Sequence, residues 1–315
     1  NAPWVVAAHA QTPFGAVQIG TGWDVDKDKR TVRINGAGGK AQNALSEWLS
    51  CVWLTPQMDR LFLEASSSRR RFLDRLVFTF DAGHAGRVTR YDNAMSQRAK
   101  ILKEYQKPDP AWLDGLEATM AETGTAIAAA RLHFVQRLQE ACDRAAPMED
   151  RLFPKSRLAA TGTVEELLTR APALEVEDLF RYQLTRTRDQ DSITGGAATG
   201  VHRSDLSVTY ATKSMPAAQC STGEQKALLL GIILAHARLM TGERGSPPIL
   251  LLDEVAAHLD ETRRMGLYDL LLPLGGQVWL TGTDEMLFAP LRNRGTFFHV
   301  EGATLSPSDA AVLAA

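Results

Sequence analysis

The chain has 315 residues, a formal net charge of −2 and 44% hydrophobic residues, enough to bury a large core in two lobes. No apolar run reaches 18 residues and no basic leader with a cleavage site opens the chain, which argues against a membrane span and against export. Cys51, Cys142 and Cys220 are odd in number and lack metal-ligand spacing, so they read as reduced, mostly buried thiols of a cytoplasmic protein.

In chain order, residues 1 to 63 carry short strand-like runs at Trp4 to Ala10, Ala16 to Ile19, Thr31 to Ile34 and Cys51 to Leu54. Asn35-Gly36 follows one of them and predicts a two-residue hairpin turn. From about 66 to 146 the periodicity is helical. Leu113, Leu116, Met120, Ile127, Leu132, Phe134, Val135 and Leu138 fall at spacings that suit one face of a long helix, which Pro108 and Pro110 open and Pro147 ends. Residues 157 to 162 predict a strand, and 164 to 170 and 176 to 186 predict helices. Ser192 to Gly200 is a run of small residues that predicts a mobile linker.

Basic residues concentrate in the first helical region. Arg69, Arg70, Arg71 and Arg75 precede Arg87, Arg90, Arg98, Lys100 and Lys103. A local basic surface of this kind neutralises DNA phosphates without reading bases, and Arg87, Arg90, Lys100 and Lys103 are its candidate contacts. The competing reading is a solvated helix face with structural arginines paired to Asp74 and Asp81.

The last third carries the most specific signal. Ser221-Thr222-Gly223-Glu224-Gln225-Lys226 opens an apolar helix, whose start offers backbone N–H groups and a positive dipole end to a phosphate. Ile249 to Leu252 is an apolar strand ending in Asp253-Glu254, one acid suited to Mg²⁺ and the other to activating water. Ala257-His258-Leu259-Asp260 follows, and a second apolar strand, Gln277 to Leu280, ends in Thr281-Gly282-Thr283. Their order is similar to the signature, Walker B, D-loop and switch strand of ABC-type ATPases.

A phosphate loop, Gly-x-x-x-x-Gly-Lys-Ser/Thr, does not occur in the sequence. The nearest run, Gly36-Ala37-Gly38-Gly39-Lys40, has the wrong spacing and ends before Ala41. The start at Asn1 is read as a truncation whose upstream part held the phosphate loop. On that reading the chain alone does not turn ATP over.

Leu54-Thr55-Pro56-Gln57-Met58-Asp59-Arg60-Leu61-Phe62 and Arg69-Arg70-Arg71-Phe72-Leu73-Asp74 resemble the strand-to-helix passage of the RecF family of bacterial recombination mediators. Gly200-Val201-His202-Arg203-Ser204-Asp205 is similar to that family's Gly-Pro-His-Arg-Asp-Asp segment, departing from it at Val201 and Ser204. The stretch between Gln57 and Ser221 is longer than the helical subdomain of transporter ATPases and far shorter than the coiled-coil arms of chromosome-structural SMC proteins, as in RecF.

The resemblance implies an α/β fold: an ABC-type P-loop ATPase lobe, incomplete at the N-terminus, with an inserted mostly helical second lobe. Residues 1–63 and 196–315 would form the ATPase lobe and 64–195 the insertion. It implies ATP and Mg²⁺ as ligands and a head-to-tail homodimer closed by ATP. Ser221 and Gly223 would then touch the γ-phosphate of a partner's ATP, with Gln225 supporting the turn. Asp253 would hold Mg²⁺, Glu254 would polarise the attacking water, Asp260 would reach across the interface and Gln57 would sense Mg²⁺.

Thr281 stands where many ABC enzymes place a histidine, and its neutral contact implies slow hydrolysis. His258 reads as a surface residue. The implied partners are duplex DNA, single-strand gap junctions and recombination mediator proteins, in replication, recombinational repair and the SOS response. The alternative is a non-hydrolysing DNA-binding or protein-interaction scaffold with an ABC-like fold.

Overall fold

The computed structural model describes residues 3–308 apart from 13, 26–27, 39–41, 106–108 and 146. Gly39, Lys40 and Pro108, singled out in the sequence, lie outside the described residues. Among the described residues no helix is long and apolar enough to cross a membrane.

The chain opens with an antiparallel sheet of β1 (Val5–Thr12), β2 (Gly15–Asp24) and β3 (Lys29–Ile34). Period-two alternation in β2 and β3 puts Val17, Ile19, Val32 and Ile34 on one face, packed with Leu45, Trp48 and Leu49. The predicted turn closes β3: Asn35 and Gly36 have φ of 51° and 80°, and Ile34 and Ala37 exchange two backbone hydrogen bonds of 3.0 Å.

Among the described residues of 1–63 only β4 (Cys51–Leu54) joins the parallel sheet that the last third builds. It pairs with β8 (Ile249–Asp253), which pairs with β9 (Val278–Thr281). The strand runs of residues 1–63 therefore divide between two sheets. Short connections permit antiparallel hairpins among the first three, whereas a parallel pair needs a long crossover.

Helix α8 (Thr222–Arg244) covers one face of the parallel sheet. Its middle, Ala227 to Ala237, is apolar apart from His236 and buried around almost its whole circumference, and its leucines and isoleucines share a core with Val52, Leu54, Leu250 and Leu252. Among the described residues the opposite face is only partly covered. Trp53, Leu251 and Trp279, cross-strand neighbours in register, are 37%, 40% and 45% exposed.

Between these segments lie α1 (Ser66–Phe78), α2 (His84–Glu104), α3 (Pro110–Asp143), α4 (Pro147–Leu152), α5 (Thr163–Leu168), α6 (Ala173–Arg186) and α7 (Arg188–Thr194). The 34-residue α3 connects two cores. Met120 and Ile127 pack with Tyr91, Val176 and Phe180, while Phe134, Val135 and Leu138 join the core under the parallel sheet. A second antiparallel sheet pairs β5 (Ser156–Thr161) with β6 (Asp205–Tyr210), and β6 with β7 (Met215–Pro216).

The small-residue run at 192–200 is not a free linker. Its first three residues finish α7, Ala197 is buried, and the Ala197 carbonyl accepts hydrogen bonds from His202 Nε2 (3.1 Å) and Arg203 Nε (3.0 Å). The Ala198 N–H donates to Asp191 Oδ1 at 2.9 Å. Small side chains here allow close packing: a Cβ at Gly200 would lie 2.2 Å from the Tyr91 hydroxyl oxygen.

Candidate nucleotide site

The parallel strands deliver the acidic pair to their C-terminal ends, where ligands of open α/β sheets bind. Asp253 is exposed, and its Oδ1 accepts a short hydrogen bond from the Thr281 hydroxyl of the neighbouring strand. Glu254 follows in a left-handed conformation, φ 52° and ψ 24°. Its N–H donates to the Thr281 carbonyl (3.2 Å) and hydroxyl oxygen (3.3 Å). Thr281 thus organises the two acids within its own chain.

At the start of α8, Ser221 and Glu224 form a reciprocal capping box. The Ser221 hydroxyl accepts from the Glu224 N–H, and the Glu224 carboxylate accepts from the Ser221 N–H and hydroxyl at 2.9 Å. Lys213 donates to the same carboxylate at 2.5 Å. The bond from Lys213, followed by those from Ser221, holds the Glu224 carboxyl down at about 2. Ser221 is exposed and the space beside the Gly223 Cα is open, so the turn is accessible from solvent. Gln225 is buried, and its Nε2 donates to the Cys220 carbonyl at 2.8 Å, tying the helix to the preceding turn.

Gln57 is exposed in the short 3₁₀ turn Pro56–Arg60 that follows β4. Asp260 is exposed and caps α9 (Glu261–Leu271), its Oδ1 accepting from the Arg263 N–H at 2.9 Å. His258 is exposed, as a surface residue would be.

Lys226, the last residue of the signature run and one to which the sequence pattern assigns no role, joins these parts. It is 3% exposed, and its Nζ donates to Asp59 Oδ2 at 3.1 Å and to the Glu254 carbonyl at 3.4 Å. A sequence signal for it exists. Lysine in an otherwise apolar helix is almost never fully buried unless paired.

The basic region separates into inward and outward groups. Arg69 makes a two-bond pair with Asp205 (2.8 and 2.7 Å), and Arg70 donates to the Ser204 carbonyl at 2.7 Å. Arg75 lies 4.2 Å from the Trp53 ring centroid, and burial lowers its guanidinium to about 10. Arg98 corrects the reading of one basic surface: it is 1% exposed, bonded to Glu117 and Asp191 at 2.8 Å each and to the Leu184 carbonyl at 2.7 Å. Arg87 is half-buried and pairs with Asp81. Arg90, Lys100 and Lys103 are exposed on α2.

Two of the three segments that carry the family resemblance, 69–74 and 200–205, meet in space. Arg70, Arg71 and Asp74 from α1 line a cavity of about 300 Å³ with Val201 and His202. Burial pushes the Asp74 carboxyl up, but bonds from His84 and Arg131 outweigh it and hold it below the ordinary aspartate value. His202 accepts a hydrogen bond from the Tyr91 hydroxyl at Nδ1 (2.9 Å) and donates from Nε2 to Ala197; burial lowers its pKa. These motifs therefore lock α1, α2 and α3 to the segment before β6.

No protein-family model matches the chain. A DNA replication and repair protein RecF of Mesorhizobium japonicum is 46% identical over 307 residues, covering 96% of this chain and 80% of the relative. The RecF of Agrobacterium fabrum is 45% identical over 288 residues, covering 91% of this chain and 76% of the relative. In three dimensions the chain is similar to solved structures of the recombination mediator protein RecF of the RecFOR pathway. The one with ATPrS has a TM-score of 0.84 at 19% identity, covering 98% of this chain and 81% of that one, and the one with ATP has a TM-score of 0.81. With that identity spread over nearly its whole length, the chain belongs to the RecF family of DNA replication and repair proteins.

Proposed function

We propose that the chain works in recombinational DNA repair as one half of a nucleotide-closed dimer on DNA. Its signature turn faces ATP held by a second subunit, and its acidic pair serves the nucleotide on its own side. The observation that carries this reading is the joint placement of an accessible capped turn, Ser221 to Gly223, and the Asp253–Glu254 pair at the strand ends, tied together through Lys226. The ATP in the solved RecF structure supports the choice of nucleotide.

The residues present fit the ligands in part. Mg²⁺ takes one or two carboxylates and keeps several waters, and Asp253 is an exposed carboxylate whose orientation Thr281 fixes. Bound Mg²⁺ neutralises charge on the phosphate oxygens. Asp253 would hold the ion and Glu254 would polarise water, Gln57 stands beside the same strand ends, and Asp260, whose carboxylate is engaged by Arg263 of its own chain, would reach the second subunit. Ser221 and the Gly223 N–H meet the partner's terminal phosphate. The sequence given supplies no phosphate loop for its own nucleotide, so this chain alone binds ATP weakly and does not turn it over.

DNA binding is electrostatic and non-sequence-specific, through the exposed cations of α2, and recombination mediator proteins act with it at single-strand gaps in the cytoplasm. The test is sedimentation of the chain supplied with a phosphate loop ahead of residue 1. ATP drives dimerisation, and Ser221→Arg abolishes it while monomer nucleotide binding persists. Undiminished dimerisation of the variant overturns the reading.

A further inference from the structure

We infer that Lys226 is a positioning residue for Glu254, coupling the signature helix to the acid at the end of β8. The inference rests on the proposed role of Glu254 but is carried by its own geometry. Glu254 is a non-glycine residue in the left-handed region, where its Cβ crowds the backbone and the conformation persists only if the surroundings impose it. Two contacts impose it here. Thr281 takes the Glu254 N–H from one side, and the Lys226 ammonium takes the Glu254 carbonyl from the other.

Lys226 is itself fixed. Its stem is sealed in the α8 core, and Asp59, in the turn that carries Gln57, neutralises its head. Lys226 lies little more than one helical turn from Ser221, so a displacement of the α8 N-terminus reaches the Glu254 peptide through one side chain. The Asp59 contact carries the same displacement to the β4 turn. A buried lysine with one carboxylate and one carbonyl partner is a rigid link, because losing either partner leaves an uncompensated polar group.

The experiment is amide hydrogen exchange on the chain itself, resolved at Glu254 to His258. Lys226→Met keeps most of the buried stem and removes the ammonium; it accelerates exchange across this segment about tenfold or more, with the amides of α3 and α6 unchanged. Asp59→Asn, which loosens the ammonium without removing it, gives a smaller acceleration in the same segment.

Glu254→Gly separates positioning from general support, because glycine adopts the left-handed conformation without being held. In that background Lys226→Met produces much less additional acceleration, a non-additivity expected only of residues that act through one another. Unchanged exchange in Lys226→Met, or fully additive effects with Glu254→Gly, overturns the inference. The two readings fail separately. Undiminished dimerisation of Ser221→Arg would remove the nucleotide role and leave this link standing, whereas unchanged exchange removes the link even if ATP drives dimerisation.

Discussion

Beneath α8, Val52, Leu54, Leu250 and Leu252 are almost sealed from solvent, while on the other side of the same three strands Trp53, Leu251 and Trp279 are 37%, 40% and 45% exposed. Phe298 of the C-terminal hairpin stacks on Trp279 at 6.5 Å between ring centroids without closing the surface. Parallel strands usually read as continuous apolar runs because both faces are covered. Ile249-Leu250-Leu251-Leu252 has that pattern, yet among the described residues only one face receives full cover. The arginines repeat the contrast, with Arg98 buried and paired and Arg90 in solvent. Residue type alone sets neither the energetic weight nor the role; the side it faces does.

The largest effect is expected where an inward charge loses its partner. Arg98→Gln leaves the buried Asp191 without a cation, while Glu117 keeps Arg188, and should cost about 3–5 kcal/mol in urea unfolding. A cost below about 1 kcal/mol would make the buried network dispensable. Neutralising Arg90, Lys100 and Lys103 together should leave stability within about 1 kcal/mol, and should reduce the log–log salt slope of DNA binding by about 0.9 for each phosphate no longer neutralised. Arg87, held by Asp81, should add little to that change.

The two faces of β8 come next. Leu252→Ala should cost about 2–5 kcal/mol, since its cavity opens in the packed core, whereas Leu251→Ala should cost less than about 1 kcal/mol. Equal costs would show that both faces are packed alike in solution.

A smaller, pH-dependent effect belongs to the α8 side. His236 is fully buried; its Nε2 lies 3.0 Å from the Thr79 hydroxyl, whose own proton goes to the Leu76 carbonyl, so the ring donates there and its Nδ1 has no partner among the described residues. Burial lowers its pKa to about 3. The unfolded chain then binds the extra proton first as pH falls below the ordinary histidine value near 6.5. The stabilising contribution is complete above that value and declines towards pH 3, by on the order of 2 kcal/mol by pH 5. Urea titrations at pH 7 and pH 5 should show the decline, and His236→Gln should flatten it.

The smallest change in stability is expected on the partly covered face. Trp279→Lys should alter unfolding by less than about 1 kcal/mol while lowering the binding of a hydrophobic dye to the folded chain. Unchanged dye binding would move the sticky surface elsewhere.

Local rules carry much of the fold. The β3 hairpin turn, the strands at 51–54 and 249–253, the long helix after Pro110 and the capped start of α8 are legible because turn chemistry, apolar periodicity and capping act over a few residues. The order of the signature run, acidic pair and second strand also suggests the type of site proposed above. What short-range pattern does not supply is pairing at a distance. The small residues at 192–200 resemble a linker because their sequence has no large side chain, but Gly200 and Ala197 are small in order to pack under Tyr91 and His202. The arginines resemble one basic surface because charge is visible in sequence and its partner is not.

By itself the sequence determined several of the strand and helix segments, the main turn and cap residues and the inventory of acids, hydroxyls and cations. Only the tertiary structure decided which strands share a sheet, which arginines face inward, which face of β8 is only partly covered and that Lys226 grips the Glu254 carbonyl. Those outcomes depend on contacts between residues far apart in the chain, and their energies come from burial and from the low local dielectric, which exist only once the chain has closed on itself.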